Sequence, residues 1–207
     1  MNEAMQHMDQ LSFDLGKPPI NRKGKSPPKR RQALYFAALP DPEIAKLTAE
    51  MTVDQSRRNG LTRIARKHDL YHATIYAIDI VSRSQEEATF AALEAGSTIC
   101  LKSFPLIFDR AGTFGNGNNR QYVLWCREGN EGLTTLRREL DAAMQSMGFE
   151  SRISSSFQPH MTLFYCDRIL PEVRLDKPVA WTVKTFTLVN SFQGAGEHGH
   201  VWHWPLF

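Results

Sequence analysis

The chain has 207 residues, of which 42% are hydrophobic and 23% charged, a balance typical of a globular domain or of two similar halves. No apolar run approaches the ~18 residues of a membrane-spanning helix, and no apolar signal core is evident at the N-terminus, so we expect a cytoplasmic protein. Cys100, Cys126 and Cys166 lie far apart, which fits neither a disulfide framework nor a zinc site.

Positive charge is concentrated at the start of the chain. Residues 1–31 hold seven Lys or Arg and three acidic side chains, whereas the whole chain has a net charge of +3. Prolines interrupt any helix there, so we expect a disordered basic leader followed by a single bilobal domain over residues 32–207. The leader either attracts phosphate backbones without sequence preference or is a solvated extension without a role.

The first half of the chain predicts strands and helices in alternation. Residues 32–39 form an apolar, aromatic strand, and Asp41-Pro42-Glu43 begins a helix that continues into the fifties. A second strand begins near Leu70. Residues 84–95 form a helix with a capping box and a stop at Gly96. A strand over 98–108 and a Gly/Asn-rich loop over 109–120 follow.

The same order then recurs. A strand over 121–126 precedes an amphipathic helix that ends at Gly148, and another strand follows it. Tyr35 precedes His72 by 37 positions and Tyr122 precedes His160 by 38. The repeat predicts two similar lobes. Beyond them we expect one long strand over 179–191 and a last one over 200–207, paired through a turn at 194–196.

Both predicted lobes carry a His-x-Thr-x-aromatic strand, His72-Ala73-Thr74-Ile75-Tyr76 and His160-Met161-Thr162-Leu163-Phe164. Alternation along a strand places the histidine, the threonine and the aromatic residue on one face. With seven histidines, about one His-x-Ser/Thr is expected by chance, but two complete copies at matched positions predict a site. Paired imidazoles can divide general acid and base work, and the threonine hydroxyls can hold a phosphate. The aromatic rings would either stack on a base or ribose or pack in the core.

These motifs resemble the two signatures of the two-histidine (2H) phosphoesterase superfamily, in its bacterial 2′-5′ RNA ligase / RNA 2′,3′-cyclic phosphodiesterase (LigT-like) branch. The likeness includes the opening strand at 34–40, Val123-Leu124-Trp125 and the closing Trp204-Pro205-Leu206. It implies a bilobal α+β fold, with antiparallel sheets around a central cleft, two pseudo-symmetric lobes and helices outside. It also implies opening of 2′,3′-cyclic phosphates to 2′-phosphates without metal, ATP or other cofactor, with 2′-5′ ligation as a related activity.

The resemblance assigns roles to the motif residues. His72 and His160 are the acid/base pair, and Thr74 and Thr162 bind the phosphate. By analogy, His160 activates the water and His72 protonates the leaving 3′ oxygen. Further substrate contacts are expected from four side chains: Phe36, Tyr76, Arg120 and Phe164. The chain departs from the family in having Leu70-Tyr71 before the first motif, where Asn-Leu is usual, and in the Gly/Asn-rich loop.

The expected partners are RNA ends or small nucleotides with a 2′,3′-cyclic phosphate or a 2′-5′ linkage, bound by a monomer with no membrane attachment. The alternative is an RNA- or nucleotide-binding module that has the cleft without useful turnover. His198, His200 and His203 alternate with tryptophans near the C-terminus, and without an acidic or Cys partner they indicate the end of a strand more than a metal site.

Overall fold

A computed structural model describes residues 32–62, 65–80, 83–115, 120–153, 157–192 and 196–207. The predicted leader at 1–31 lies outside them. The first half of the described chain contains β1 (Gln32–Ala38), α1 (Pro42–Arg58), a 3₁₀ helix (His68–Leu70), β2 (Ala73–Ile78), α2 (Gln85–Ser97) and β3 (Phe104–Phe114). The second half contains β4 (Arg120–Trp125), α3 (Glu131–Ser146), β5 (His160–Cys166), β6 (Val173–Val183), β7 (Thr185–Phe192) and β8 (Glu197–Pro205).

The strands form one sheet in the order β6-β3-β4-β5-β2-β1-β7-β8, with every neighbouring pair antiparallel. The sheet divides into two halves of four strands, β2-β1-β7-β8 and β5-β4-β3-β6. The halves meet between β2 and β5, where one ladder pair joins Ala73 to Met161. This architecture confirms the predicted bilobal α+β fold and the repeat of strand, helix and His-x-Thr strand.

The three helices supply the apolar cover of one sheet face. Helix α3 buries Leu133, Leu136, Leu140 and Met144, the stripe expected from its 3.6-residue period. Its chain reverses at Gly148, whose φ of +82° favours glycine. One continuous core extends beneath both lobes and includes Phe36 of β1 and Phe108 of β3. The opposite face of the sheet carries only a small apolar cluster, formed by Tyr35, Ala37 and Val189 in the described chain.

Helix α2 confirms one predicted boundary and contradicts the other. Ser84 and Glu87 form the capping box, each side chain bonded to the other's backbone N–H. The helix continues through Gly96 to Ser97, so Gly96 is not its stop. A Cβ at Gly96 would lie 2.5 Å from the indole of Trp204. The glycine is therefore explained by close packing of α2 against β8.

Two other predictions in the middle and late chain were wrong. Strand β3 occupies Phe104–Phe114 and so extends well into the predicted loop, because its residues pair with β4 on one side and β6 on the other. Residues 116–119 of that loop lie outside the described chain. The predicted long strand over 179–191 is two strands, β6 and β7, separated at Lys184. Strand β7 does pair with β8, as expected.

Candidate active site

The four motif residues flank the ladder pair that joins the lobes. Ala73 and Met161 are fully buried on the helix-covered side. The residues on either side of them are half-buried and point to the open side: His72, which directly precedes β2, with Thr74 of β2, and His160 with Thr162 of β5. Antiparallel pairing sets His72 beside Thr162 and Thr74 beside His160. The structure thus brings the two predicted halves of the site together.

Each motif strand contains a β-bulge at the same position. Pairing of β1 with β2 skips Ile75, because Phe36 pairs with Tyr76 and the next residue of β1 pairs with Thr74. Pairing of β4 with β5 skips Leu163 in the same way. Both extra residues directly follow the motif threonine, and an extra residue reverses the alternation of the side chains that come after it.

The bulges overturn the prediction that the motif aromatics share a face with the histidines. Tyr76 is 1% exposed and Phe164 5% exposed, and both belong to the core. Phe164 stacks on Tyr122, with ring centroids 5.2 Å apart. Phe36 is fully buried between Phe186 and Trp204. These three side chains therefore do not lie where a substrate could contact them.

The fourth predicted contact, Arg120, also lies away from the histidines. It begins β4 opposite Cys166, at the far end of β5 from His160. Its guanidinium Nη1 donates to the carbonyl of Asp167 at 3.2 Å. Arg120 therefore ties β4 to the segment after β5, and the structure does not bring it to the motif residues.

The two motif histidines make the same backbone hydrogen bond. Nδ1 of His72 lies 2.9 Å from the carbonyl oxygen of Leu70, and Nδ1 of His160 lies 2.8 Å from that of Gln158. A carbonyl can only accept, so each Nδ1 carries a proton. Nε2 is left as the atom that gains or loses a proton on each ring. The Gln158 side chain is itself anchored, because its amide donates to the carbonyl of Cys126.

Burial lowers the pKa of both histidines. For His72 it lowers the pKa to about 4, opposed by the Leu70 carbonyl and reinforced by the nearby His198, Arg66 and His160. For His160 burial is again the larger cause and the carbonyl of Gln158 opposes it. In both cases the neutral ring is favoured because removing an imidazolium from water costs free energy. The effect of His160 on His72 also shows that the two rings are close enough to interact.

The two threonines differ in their hydrogen bonding. The hydroxyl of Thr162 donates to Oε1 of Gln121 on β4, at 2.6 Å. Accepting this bond orients the amide of Gln121, so its NH₂ group is directed elsewhere as a donor. No hydrogen bond of the Thr74 hydroxyl is found within the described residues. Gln121 was not predicted, and its position next to Thr162 across β4 and β5 required the register of those strands.

Three rings cluster on the His72 side of the cleft. Tyr35 stacks on His72 with centroids 5.1 Å apart and planes at 25°. His198 meets His72 edge-on, also at 5.1 Å. Strands β1 and β7 lie between β2 and β8 in the sheet, so the β7–β8 hairpin must curl over the open face to bring His198 there. The sequence placed Tyr35 in the correct strand but gave no signal for His198, whose contact depends on this curvature.

Aromatic residues also line the His160 side. Phe114 lies 5.4 Å from both His160 and Trp125, measured between ring centroids. Tyr165, on the open side of β5 after the bulge, is 55% exposed. Its hydroxyl is near enough to contribute to the raised pKa of Tyr35. Tyr35, Phe114 and Tyr165 are therefore the aromatic side chains on this side of the sheet, in place of the predicted Tyr76 and Phe164.

No group of three or more His, Cys, Asp or Glu side chains in the described chain is arranged to hold a metal ion. Nor does any helix within the described residues combine the length and hydropathy required to cross a membrane.

The sequence matches the family model of the 2′-5′ RNA ligase superfamily over residues 40–194. The chain belongs to this superfamily. The resemblance carried by the two His-x-Thr motifs is therefore confirmed at the level of the family. Among curated proteins, none matches the sequence significantly.

Solved structures show the same fold. The Escherichia coli LigT complex with 3′-AMP aligns with a TM-score of 0.68 at 24% identity, covering 84% of this chain and 98% of LigT. A structure described as a phosphoesterase aligns with a TM-score of 0.63 at 24% identity, covering 85% and 99%. The protein TT0787 of Thermus thermophilus aligns with a TM-score of 0.63 at 19% identity, covering 84% and 97%.

Proposed function

We propose that this member of the superfamily is an RNA 2′,3′-cyclic phosphodiesterase that opens the cyclic phosphate to a 2′-phosphate without metal or ATP. The supporting observation is the matched pair of histidines, each with Nδ1 bound to a carbonyl two residues earlier and with no hydrogen bond of Nε2 among the described residues. Two imidazoles that present Nε2 in the same way suit an in-line reaction, in which one ring removes a proton from the nucleophile while the other gives a proton to the leaving oxygen.

The reaction needs one proton transfer at each histidine. Nε2 of neutral His160 takes a proton from a water molecule as its oxygen attacks phosphorus. Nε2–H of protonated His72 gives its proton to the 3′ oxygen as the P–O3′ bond breaks. The products are a 2′-phosphate and a free 3′-hydroxyl, with His160 protonated and His72 neutral. Exchange of one proton with solvent at each ring restores the starting state.

The threonines would stabilise the phosphate during attack. A hydroxyl beside each histidine can donate to a non-bridging oxygen, which becomes more negative in the transition state. Thr74 is available for this within the described structure, whereas Thr162 must exchange its bond to Gln121 for one to the phosphate.

Ligation uses the same geometry with a different nucleophile. If the 5′-hydroxyl of a second RNA takes the place of water, His160 removes its proton and the P–O3′ bond breaks as before, leaving a 2′-5′ phosphodiester. LigT structures with 3′-AMP, ATP and NADP+ are of nucleotide complexes of that protein. They support a nucleotide as the occupant of this cleft as well.

The test is to incubate the full chain, in EDTA, with an oligonucleotide that ends in a 2′,3′-cyclic phosphate. We expect an end that carries a 2′-phosphate, identified by ³¹P NMR. His72→Ala and His160→Ala should each lower the rate about 10²- to 10⁴-fold, the usual contribution of one general acid or base. His68→Ala is the matched control, because His68 is exposed in the 3₁₀ helix. Full activity in both motif variants would exclude the mechanism.

The alternative, a binding module, makes the opposite prediction in the same assay. The wild-type chain would then bind the oligonucleotide and form no product, and binding would weaken as salt increases. The matched state of the two Nε2 atoms favours the enzyme, since a module that only binds RNA has no need for two equivalent proton carriers.

A further inference from the structure

An arginine that forms no ion pair within the described residues lies beside the His72 side of the cleft. Arg66 precedes the 3₁₀ helix and is half-buried. None of the ion pairs found among the described residues includes it. After burial, its charge further lowers the pKa of His72 and His198, and it opposes the rise that burial causes in the pKa of Tyr35. The 3₁₀ helix that follows Arg66 contacts β8, the strand that carries His198, so Arg66 lies next to this group of rings and its charge acts on all three.

His198 adds a second donor at this place. Its Nε2 lies 3.4 Å from the hydroxyl of Tyr35, and its ring packs edge-on against His72. Contacts between β8 and the 3₁₀ helix hold the strand over the open face. The proposed proton transfers at His72 and His160 do not use His198, although it is half-buried within their cleft.

The charges around His198 favour an anion. Burial lowers its pKa most, and Arg66 and His200 lower it further, whereas exposed Asp69 raises it. Asp69 acts both through its charge and through a backbone hydrogen bond, so Arg66 and His200 are the positively charged or titratable side chains beside His198 and Asp69 the acidic one. Guanidinium, imidazole N–H and phenol O–H are the donors that bind phosphate in proteins, and an arginine can offer two parallel N–H groups.

We propose that Arg66, His198 and the hydroxyl of Tyr35 form a second phosphate-binding subsite beside His72. The inference rests on the proposed function, because the reacting cyclic phosphate lies between His72 and His160. The subsite then holds the phosphate on the 5′ side of the same nucleotide. It makes the preferred substrate an oligonucleotide or a 5′-phosphorylated nucleotide, and it disfavours a nucleoside 2′,3′-cyclic phosphate that lacks this group.

The test compares two substrates that differ only in that phosphate: adenosine 2′,3′-cyclic phosphate with and without a 5′-phosphate. The wild-type chain should have a kcat/KM about tenfold or more higher with the 5′-phosphate, the usual effect of one charge-assisted contact. Arg66→Gln and His198→Gln should each reduce this preference several-fold. Both variants can also slow the 5′-hydroxyl substrate, since both side chains act on His72, so the ratio of the two kcat/KM values is the measurement.

Two control variants remove the same groups elsewhere. Arg57→Gln neutralises an exposed arginine in the last turn of α1, and His203→Gln changes an exposed histidine of β8. Both should keep the wild-type ratio. A wild-type ratio near one, or a ratio that the Arg66 and His198 variants leave unchanged, would overturn the subsite.

Equilibrium binding separates failure of the subsite from failure of the proposed reaction. Adenosine 2′,5′-bisphosphate should bind more tightly than adenosine 2′-phosphate, and Arg66→Gln should remove most of the difference. This result would support the subsite even if neither cyclic substrate turned over, in which case the proposed reaction alone would be wrong. Equal affinities would overturn the subsite whether or not the enzyme is active.

Discussion

The ring of Tyr35 lies against the ring of His72, with centroids 5.1 Å apart and planes at 25°. Tyr35 belongs to the small apolar cluster of the open face, together with Ala37 and Val189. Burial raises the pKa of Tyr35 to about 12, so the phenol stays neutral and does not act as a base near neutral pH. Tyr35 therefore acts by covering and orienting the imidazole.

Removing this cover should change how His72 titrates. In Tyr35→Ala the imidazole gains solvent, so its pKa should rise from about 4 toward 6.5, while kcat/KM falls about 10- to 100-fold through loss of orientation. Tyr35→Phe keeps the stack and should keep the low pKa. The histidine ring signals in ¹H–¹³C NMR, followed from pH 3 to about 8, report this directly. The same His72 pKa in wild type and Tyr35→Ala would show that Tyr35 does not bury the ring.

The pH dependence of kcat/KM follows from the two lowered histidine pKa values. The reaction requires His72 protonated and His160 neutral in the free enzyme. Above both pKa values, the protonated fraction of His72 falls about tenfold per pH unit, and below both, His160 is protonated. The maximum should therefore lie on the acid side of 6.5. A maximum well above pH 7 would contradict this assignment of the acid and the base.

Thr162 should contribute in the transition state more than in substrate binding. Thr162→Val keeps the shape and removes the donor, so kcat and kcat/KM should fall together, by about 10²- to 10³-fold. Thr162→Ser should retain most of the activity. Thr182→Val, at an exposed threonine of β6, is the control and should behave as wild type. A rise in KM with unchanged kcat in Thr162→Val would indicate a role in ground-state binding only.

The β-bulge at Ile75 in β2 is stabilised by a buried arginine. Nη1 of Arg137 on α3 donates to the carbonyl of Ile75 at 2.6 Å, and Nη2 donates to that of Arg152, also at 2.6 Å. Arg137→Met keeps the aliphatic packing but removes both bonds, and should lower the free energy of unfolding by about 2–4 kcal/mol. Arg138→Met, at the exposed neighbour, should change it by less than about 0.5 kcal/mol. Urea denaturation of the three chains measures both effects, and equal losses would refute the specific role of Arg137.

Sequence patterns within single segments were sufficient to predict many of the helices and strands. The repeat spacing located both motif strands, the capping box located α2, and the apolar stripe located α3. The boundaries of β3 could not be found in this way, because ladders with β4 and β6 hold residues of low strand propensity in the sheet. The break at Lys184 was likewise hidden within a continuous alternating pattern.

The site was predictable where it depended on adjacent residues in a strand, and unpredictable where it depended on register or curvature. His72 with Thr74, and His160 with Thr162, follow from period-two alternation. The aromatics that come next do not, because a bulge is a property of two paired strands and leaves no mark in one sequence. Gln121 and His198 reach the cleft through pairing across strands and through the curl of a hairpin, which a single segment does not encode.

The ladder pair Ala73–Met161 has a mechanical consequence. Within each lobe, several consecutive ladder bonds lock neighbouring strands, whereas between the lobes a single pair resists their separation. Backbone pairing therefore fixes the distance between the two imidazoles less firmly than any other spacing in the sheet. The packing of the helices beneath the sheet must stabilise this distance instead. Substitutions in the packing of these helices, far from any phosphate, should therefore change the distance between the acid and the base.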